Sequence, residues 1–88
     1  MLYSTFGEYM VAKRAEKNMS RSEMARRVGM TPQYAMSIER GIGLPSEEMI
    51  ERIVDVLGLD EKTAFKLADK IPVRYYEAAK LKYYKEGW

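Results

Sequence analysis

Five times between Thr5 and Asp60 the chain sets a Ser, Thr or Asp just ahead of a short run of helix formers, and three times a glycine ends such a run. A hydroxyl or carboxylate at that position accepts from an early amide that the helix itself leaves unpaired, and a glycine takes the left-handed conformation that stops it. This punctuation leaves no stretch for a strand, so the chain reads as all-α. Thr5 with Glu8, and Ser20 with Glu23, have capping-box spacing, in which the carboxylate reaches back to the cap amide. The first helix is expected to end at about Lys17. The second carries Met24, Ala25 and Val28 on its apolar side and stops at Gly29. Thr31 caps a third helix with Pro32 at its first position, and Gly41 closes it. Ser46, followed by Glu47 and Glu48, opens a fourth helix bearing Met49, Ile50, Ile53, Val54 and Leu57, which Gly58 ends. Asp60 caps a fifth with Ala64, Phe65 and Leu67 or Ala68 toward the core.

Pro72 then forces a break, and "VRYYEAAKLKYYKEGW" beyond it predicts a sixth helix. The domain is thus expected over 1–70, with 71–88 as an amphipathic extension. On a helical wheel Tyr75, Tyr76, Ala79 and Tyr83 gather on one side, opposite Arg74, Glu77 and Leu81. Two uses of that aromatic stripe stay equally open, packing on the chain's own core and forming a self-complementary dimer surface. A partner protein, or flanking phosphates at Lys80, Lys82 and Lys85, is a third.

A chain of 88 residues forms one domain, since either half alone would bury too little surface. It contains neither cysteine nor histidine. Disulfides, thiolate chemistry, the usual zinc ligands and the usual neutral-pH acid-base catalyst are therefore excluded, so neither an enzyme nor a metal or cofactor site is expected. No secretion leader or membrane-spanning run is visible, which points to the cytoplasm. Net charge is only +2, but Lys13, Arg14, Lys17, Arg21, Arg26 and Arg27 crowd the first third.

The second helix, a three-residue turn and the third helix have helix-turn-helix spacing: Ala25 small where a helix crosses over it, Gly29 in the turn, Ala35 and Ile38 facing inward. The segment "SRSEMARRVGMTPQYAMSIERGIGLP" resembles the Xre/Cro-type helix-turn-helix family, whose pattern is roughly S-Q-x-x-L-A-x-x-x-G-V-S-x-x-x-I-S-x-I-E-R-G-x-x-x-P. Ser20, Ala25, Gly29, Ile38, Glu39, Arg40, Gly41 and Pro45 match, and Met24 and Met30 substitute conservatively. The resemblance runs from about Phe6 to Leu59 and implies a compact five-helix, lambda-repressor-like domain. It departs at Arg21, where Gln is usual, at Ala35 for Ile or Val, and at Met36 for Ser. It also implies that Arg14 and Glu39 form a partly buried structural ion pair.

The function so implied is a sequence-specific, double-stranded DNA-binding regulator, a dimeric repressor of phage or mobile-element type acting on a pseudo-palindromic operator. At about 100° per residue, Gln33, Met36, Ser37 and Arg40 share the outward side of the third helix. Gln33 suits adenine, Met36 a thymine methyl, and Ser37 can donate or accept, with Tyr34 at the edge of this base-reading face, suited to a thymine or a phosphate. The phosphate contacts expected are Ser20, Arg21, Arg40, Ser46, the amides of Ile42 and Gly43, and Lys17 as an outer contact; Arg26 and Arg27 are ambiguous. The alternative is an interaction module such as an antirepressor or antitoxin that uses the aromatic last helix.

Overall fold

The computed structural model describes residues 3–69, together with Glu77 and Lys80. Five helices follow one another: α1 Phe6–Glu16, α2 Arg21–Val28, α3 Pro32–Glu39, α4 Glu47–Leu57 and α5 Glu61–Leu67, with no strand among the described residues. Glu77 and Lys80 are helical and exposed. The expectations for Tyr75, Tyr76, Ala79 and Tyr83 lie outside the described residues.

Each helix opens on the cap read from sequence. The side chains of Thr5, Ser20, Thr31, Ser46 and Asp60 accept from the amides of Glu8, Glu23, Tyr34, Met49 and Thr63, respectively, all three residues on. The reciprocal halves of the two capping boxes differ from expectation. Glu8 reaches one residue further back, where Ser4 offers it both an amide at 3.0 Å and a hydroxyl at 2.8 Å. Those bonds, the hydroxyl's first, hold the Glu8 carboxyl below its ordinary range. Glu23 turns the other way and accepts from Arg27 Nη2 at 2.8 Å, one turn later on the same helix. At the start of α5 the Thr63 hydroxyl and then its amide hold Asp60 low in the same manner.

The first helix stops at Glu16, and Asn18 turns the chain at φ 54°, a conformation that Asn tolerates better than most residues. Gly29 and Gly58 end α2 and α4 at φ 92° and 64°.

The core is a single cluster fed by every helix: Phe6, Tyr9 and Met10 from α1; Met24, Ala25 and Val28 from α2; Ala35 and Ile38 from α3; Ile50, Ile53 and Leu57 from α4; Ala64 and Phe65 from α5. Of the two α5 alternatives Ala68 is buried, while Leu67 packs against the core's edge. Helix α1 runs beneath α3, α4 and α5, and α2 contacts both α3 and α4. Two features fix α1 in that place. The Tyr9 hydroxyl accepts from the Asp60 amide at 3.1 Å, tying α1 to the start of α5. At Gly7 the α1 backbone comes so close to the end of α3 that a Cβ there would lie 2.4 Å from the Ile38 carbonyl oxygen. Only glycine permits that approach, and it brings α1 against the helix that carries the outward face.

Candidate nucleic-acid interface

Helix α3 is eight residues long, too short to be stable by itself, so its orientation depends on what grips it from below. Ala35 and Ile38 are sealed in the core, and the short Ala35 side chain leaves no exposed surface there. The carboxyl end of α3 is held by charge. The Glu39 side chain is only 5% exposed and receives two guanidinium groups from two other helices. Arg14 of α1, 17% exposed, donates from Nε to Glu39 Oε2 at 3.0 Å and from Nη1 to the Met19 carbonyl at 3.0 Å. Arg21 of α2, 42% exposed, donates from Nε to Glu39 Oε1 at 2.8 Å. One carboxylate therefore locks three helices together. The resemblance implied only the Arg14 half of this arrangement.

The chain after α3 closes by hydrogen bonds of its own. Gly41, at φ 78°, donates to the Ile38 carbonyl at 3.0 Å, and Ile42 reaches back to the Ser37 carbonyl at 2.9 Å. This is the double backward bond of a Schellman ending. Gly43 adds a third amide, also to Ser37, at 3.1 Å. The amides of Ile42 and Gly43, expected to face phosphate, are thus already engaged within the chain. They act as the end stop of α3, because a helix leaves its last carbonyls unpaired and the returning loop supplies the nearest donors. Gly43 sits so close that a Cβ on it would be 2.8 Å from Ser37 Oγ.

The Tyr34 ring is half-buried against the core, and its hydroxyl donates to the Leu44 carbonyl at 3.4 Å, a long bond that braces the loop between α3 and α4. Lys17 lies at the carboxyl ends of α1 and α4, with Nζ 3.8 Å from where a Cβ on Gly58 would stand.

The outward face is what remains. Gln33 and Arg40 are exposed at the two ends of α3, and Met36 and Ser37 are half-buried between them. Ser20 and Ser46 are exposed at the openings of α2 and α4. Their oxygens are occupied by the amides of Glu23 at 3.0 Å and Met49 at 3.2 Å, but a hydroxyl that accepts a cap bond keeps its own proton to donate outward. Arg26 is exposed on α2, whereas Arg27 is paired to Glu23. Ile42 and Leu44, 75% and 77% exposed, flank Gly43 on the loop, a feature that the polar reading of the segment passed over. Among the described residues no group of acidic side chains is placed to hold a metal ion, and no helix is long and apolar enough to cross a membrane.

Comparison with known proteins places this geometry. Residues 11–63 match the family model described as helix-turn-helix. The chain is 39% identical over 54 residues to the ImmF control region 10 kDa protein of Bacillus phage phi105, a match that covers 61% of this chain and 60% of that protein's length. Among solved structures it resembles SinR, the Bacillus subtilis master regulator for biofilm formation, in its complex with DNA, at 33% identity and a TM-score of 0.64, covering 68% of this chain and 97% of that one. The fold is shared with the clp gene regulator ClgR of Corynebacterium glutamicum, at a TM-score of 0.66 and 20% identity over 100% of this chain and 97% of that one. The matched span takes in both helices of the turn and the ion cluster that anchors them, and the chain is a member of the Xre/Cro-type helix-turn-helix family.

Proposed function

We propose that this protein is a cytoplasmic, sequence-specific regulator of transcription that binds double-stranded DNA, a dimeric repressor of phage or mobile-element type. The observation that carries the reading is the division of α3 into a face with no exposed surface, at Ala35 and Ile38, and an opposite face that presents Gln33. A short helix held that firmly, with a polar amide at its amino end, suits insertion into a major groove, where such an amide pairs with both adenine edge groups. Met36 then packs on a thymine methyl, Ser37 donates or accepts, and Arg40, Arg21, Ser20 and Ser46 meet the flanking phosphates. Tyr34 contributes by holding the loop. The solved complex of SinR with DNA and the likeness to a phage control-region protein support the same reading.

A dimer would place two such helices one turn of the duplex apart and require a pseudo-palindromic site. Selection of bound fragments from random duplex DNA, followed by salt titration on the winning site, tests this. A repeated inverted motif is expected, with affinity falling steeply as salt rises. Recovery of no common sequence would sink the claim of specificity.

A further inference from the structure

The Glu39 cluster carries two positive charges and one negative, and the two cations are not equivalent. Arg14 is enclosed and uses its remaining reach on the Met19 carbonyl. It is the partner that a buried carboxylate needs. Arg21 brings the excess charge to the surface, and its bond to Glu39 is made through Nε, so the N–H groups of Nη1 and Nη2 take no part in it. The free edge of a guanidinium is a planar fork that matches two oxygens of a phosphate. A long side chain normally loses rotamer freedom when it grips such a group, but one already tethered at Nε has little left to lose.

We infer that Glu39 is a positioning residue that holds Arg21 by Nε so that Nη1 and Nη2 clasp a backbone phosphate of duplex DNA. This rests on the reading of the protein as a duplex-DNA binder and adds to it a relay from the end of α3 to the phosphate. The carboxylate that anchors the reading helix also aims the cation beside it, so register and phosphate contact are set by one group. An arginine is required, because a lysine ammonium has no second edge to offer once it faces the carboxylate.

The test is a double-mutant cycle in binding to a mixed-sequence duplex, measured below the melting range of every variant. Arg21→Ala should weaken binding alike on all sequences and reduce the slope of log affinity against log salt by about 0.9. Glu39→Gln should weaken binding about fivefold in the wild-type background, a loss of the size seen for residues coupled within one network, and have no effect in the Arg21→Ala background. An equal loss in both backgrounds would mean that Glu39 matters only to the fold. Tighter binding in both would mean that it acts only by repelling DNA. Either overturns the inference, as does a wild-type-like salt slope for Arg21→Ala. Should Glu39→Gln unfold, proton–nitrogen spectra of the wild-type arginine Nε–H groups decide: the Arg21 Nε–H signal should persist when duplex is added, and its loss would show the pair breaking on binding. Absence of any duplex binding by the wild type would overturn the functional reading itself, whereas binding indifferent to Arg21 overturns the relay alone.

Discussion

Removing the Glu39 side chain should be among the most damaging single changes outside the apolar core. In Glu39→Ala, Arg14 is left with a charge in a site only 17% exposed and with the Met19 carbonyl as its remaining partner. Breaking a buried pair in this way costs about 3–5 kcal/mol, and the surviving carbonyl bond argues for the lower end. Arg21 is 42% exposed and can turn to water, so its share is at most about 1 kcal/mol. The sum is roughly 3–4 kcal/mol. A chain of this length has a total stability of about 4–13 kcal/mol, so the variant stands near its unfolding threshold. Its melting temperature should fall by at least about 12 °C. Urea denaturation followed by circular dichroism measures the difference directly, and Arg14→Ala and Arg21→Ala resolve the two halves. Arg14→Ala should cost about 3 kcal/mol, since it strands the carboxylate beside a single exposed cation, and Arg21→Ala less than about 1. The double replacement Arg14→Met with Glu39→Met should recover much of the loss, because paired apolar side chains of similar volume often match a buried ion pair. If Glu39→Ala costs less than about 1 kcal/mol, or if the two arginines prove equal, the assignment of the buried load to Arg14 is wrong.

Single contacts have testable consequences of their own. Gly7→Ala pushes a methyl against the Ile38 carbonyl oxygen, so it should destabilise by about 1–3 kcal/mol in the same urea assay, although alanine is the better helix former. Tyr34→Phe removes only the long bond to Leu44 and should cost less than about 1 kcal/mol while leaving the selected DNA motif unchanged; a changed motif would restore Tyr34 to the reading face. Glu8 and Asp60 both have carboxyl groups held low in the fold, from ordinary values of 4.5 and 3.8. The bonds these carboxylates accept, from Ser4 and from Thr63, therefore contribute fully above those values and are lost as pH falls below them through the lowered folded values. Thr63→Ala removes the main cause of the Asp60 shift and should flatten the acid limb of a stability–pH profile, and an unaltered limb would contradict it.

The starts and stops of the helices were readable because they are decided within a few residues. Thr5, Ser20, Thr31, Ser46 and Asp60 each cap the adjoining helix wherever the rest of the chain goes, and Gly29, Gly41 and Gly58 each need a positive φ that other side chains resist. The inward face of α3 was readable for a related reason, since Ala35 and Ile38 follow the helical period. What escaped was decided by the chain's return. Nothing near Ser37 announces that the amides of Ile42 and Gly43 will double back to its carbonyl, nor near Tyr34 that Leu44 will come within reach of its hydroxyl. Arg21 looked like a plain phosphate contact because its partner lies 18 positions away, on a helix whose orientation has first to be set. Gly7 carried a signal that went unused: a glycine inside a helical pattern marks a close approach, and here it is the approach of α1 to the end of α3.

If the outward face of α3 reads sequence, replacing its side chains must change the motif that the protein selects. Motifs would be selected in parallel from random duplex DNA by the wild type and by the Gln33→Ala, Ser37→Ala double variant, both confirmed folded by circular dichroism. Gln33 is exposed and Ser37 uses only its backbone carbonyl to close the helix, so the fold should survive both changes. The wild type should recover a defined half-site, and the variant should lose its preference at the positions those side chains face while retaining salt-sensitive binding to all sequences. The same motif from both proteins, at the same affinity, would contradict this reading of α3.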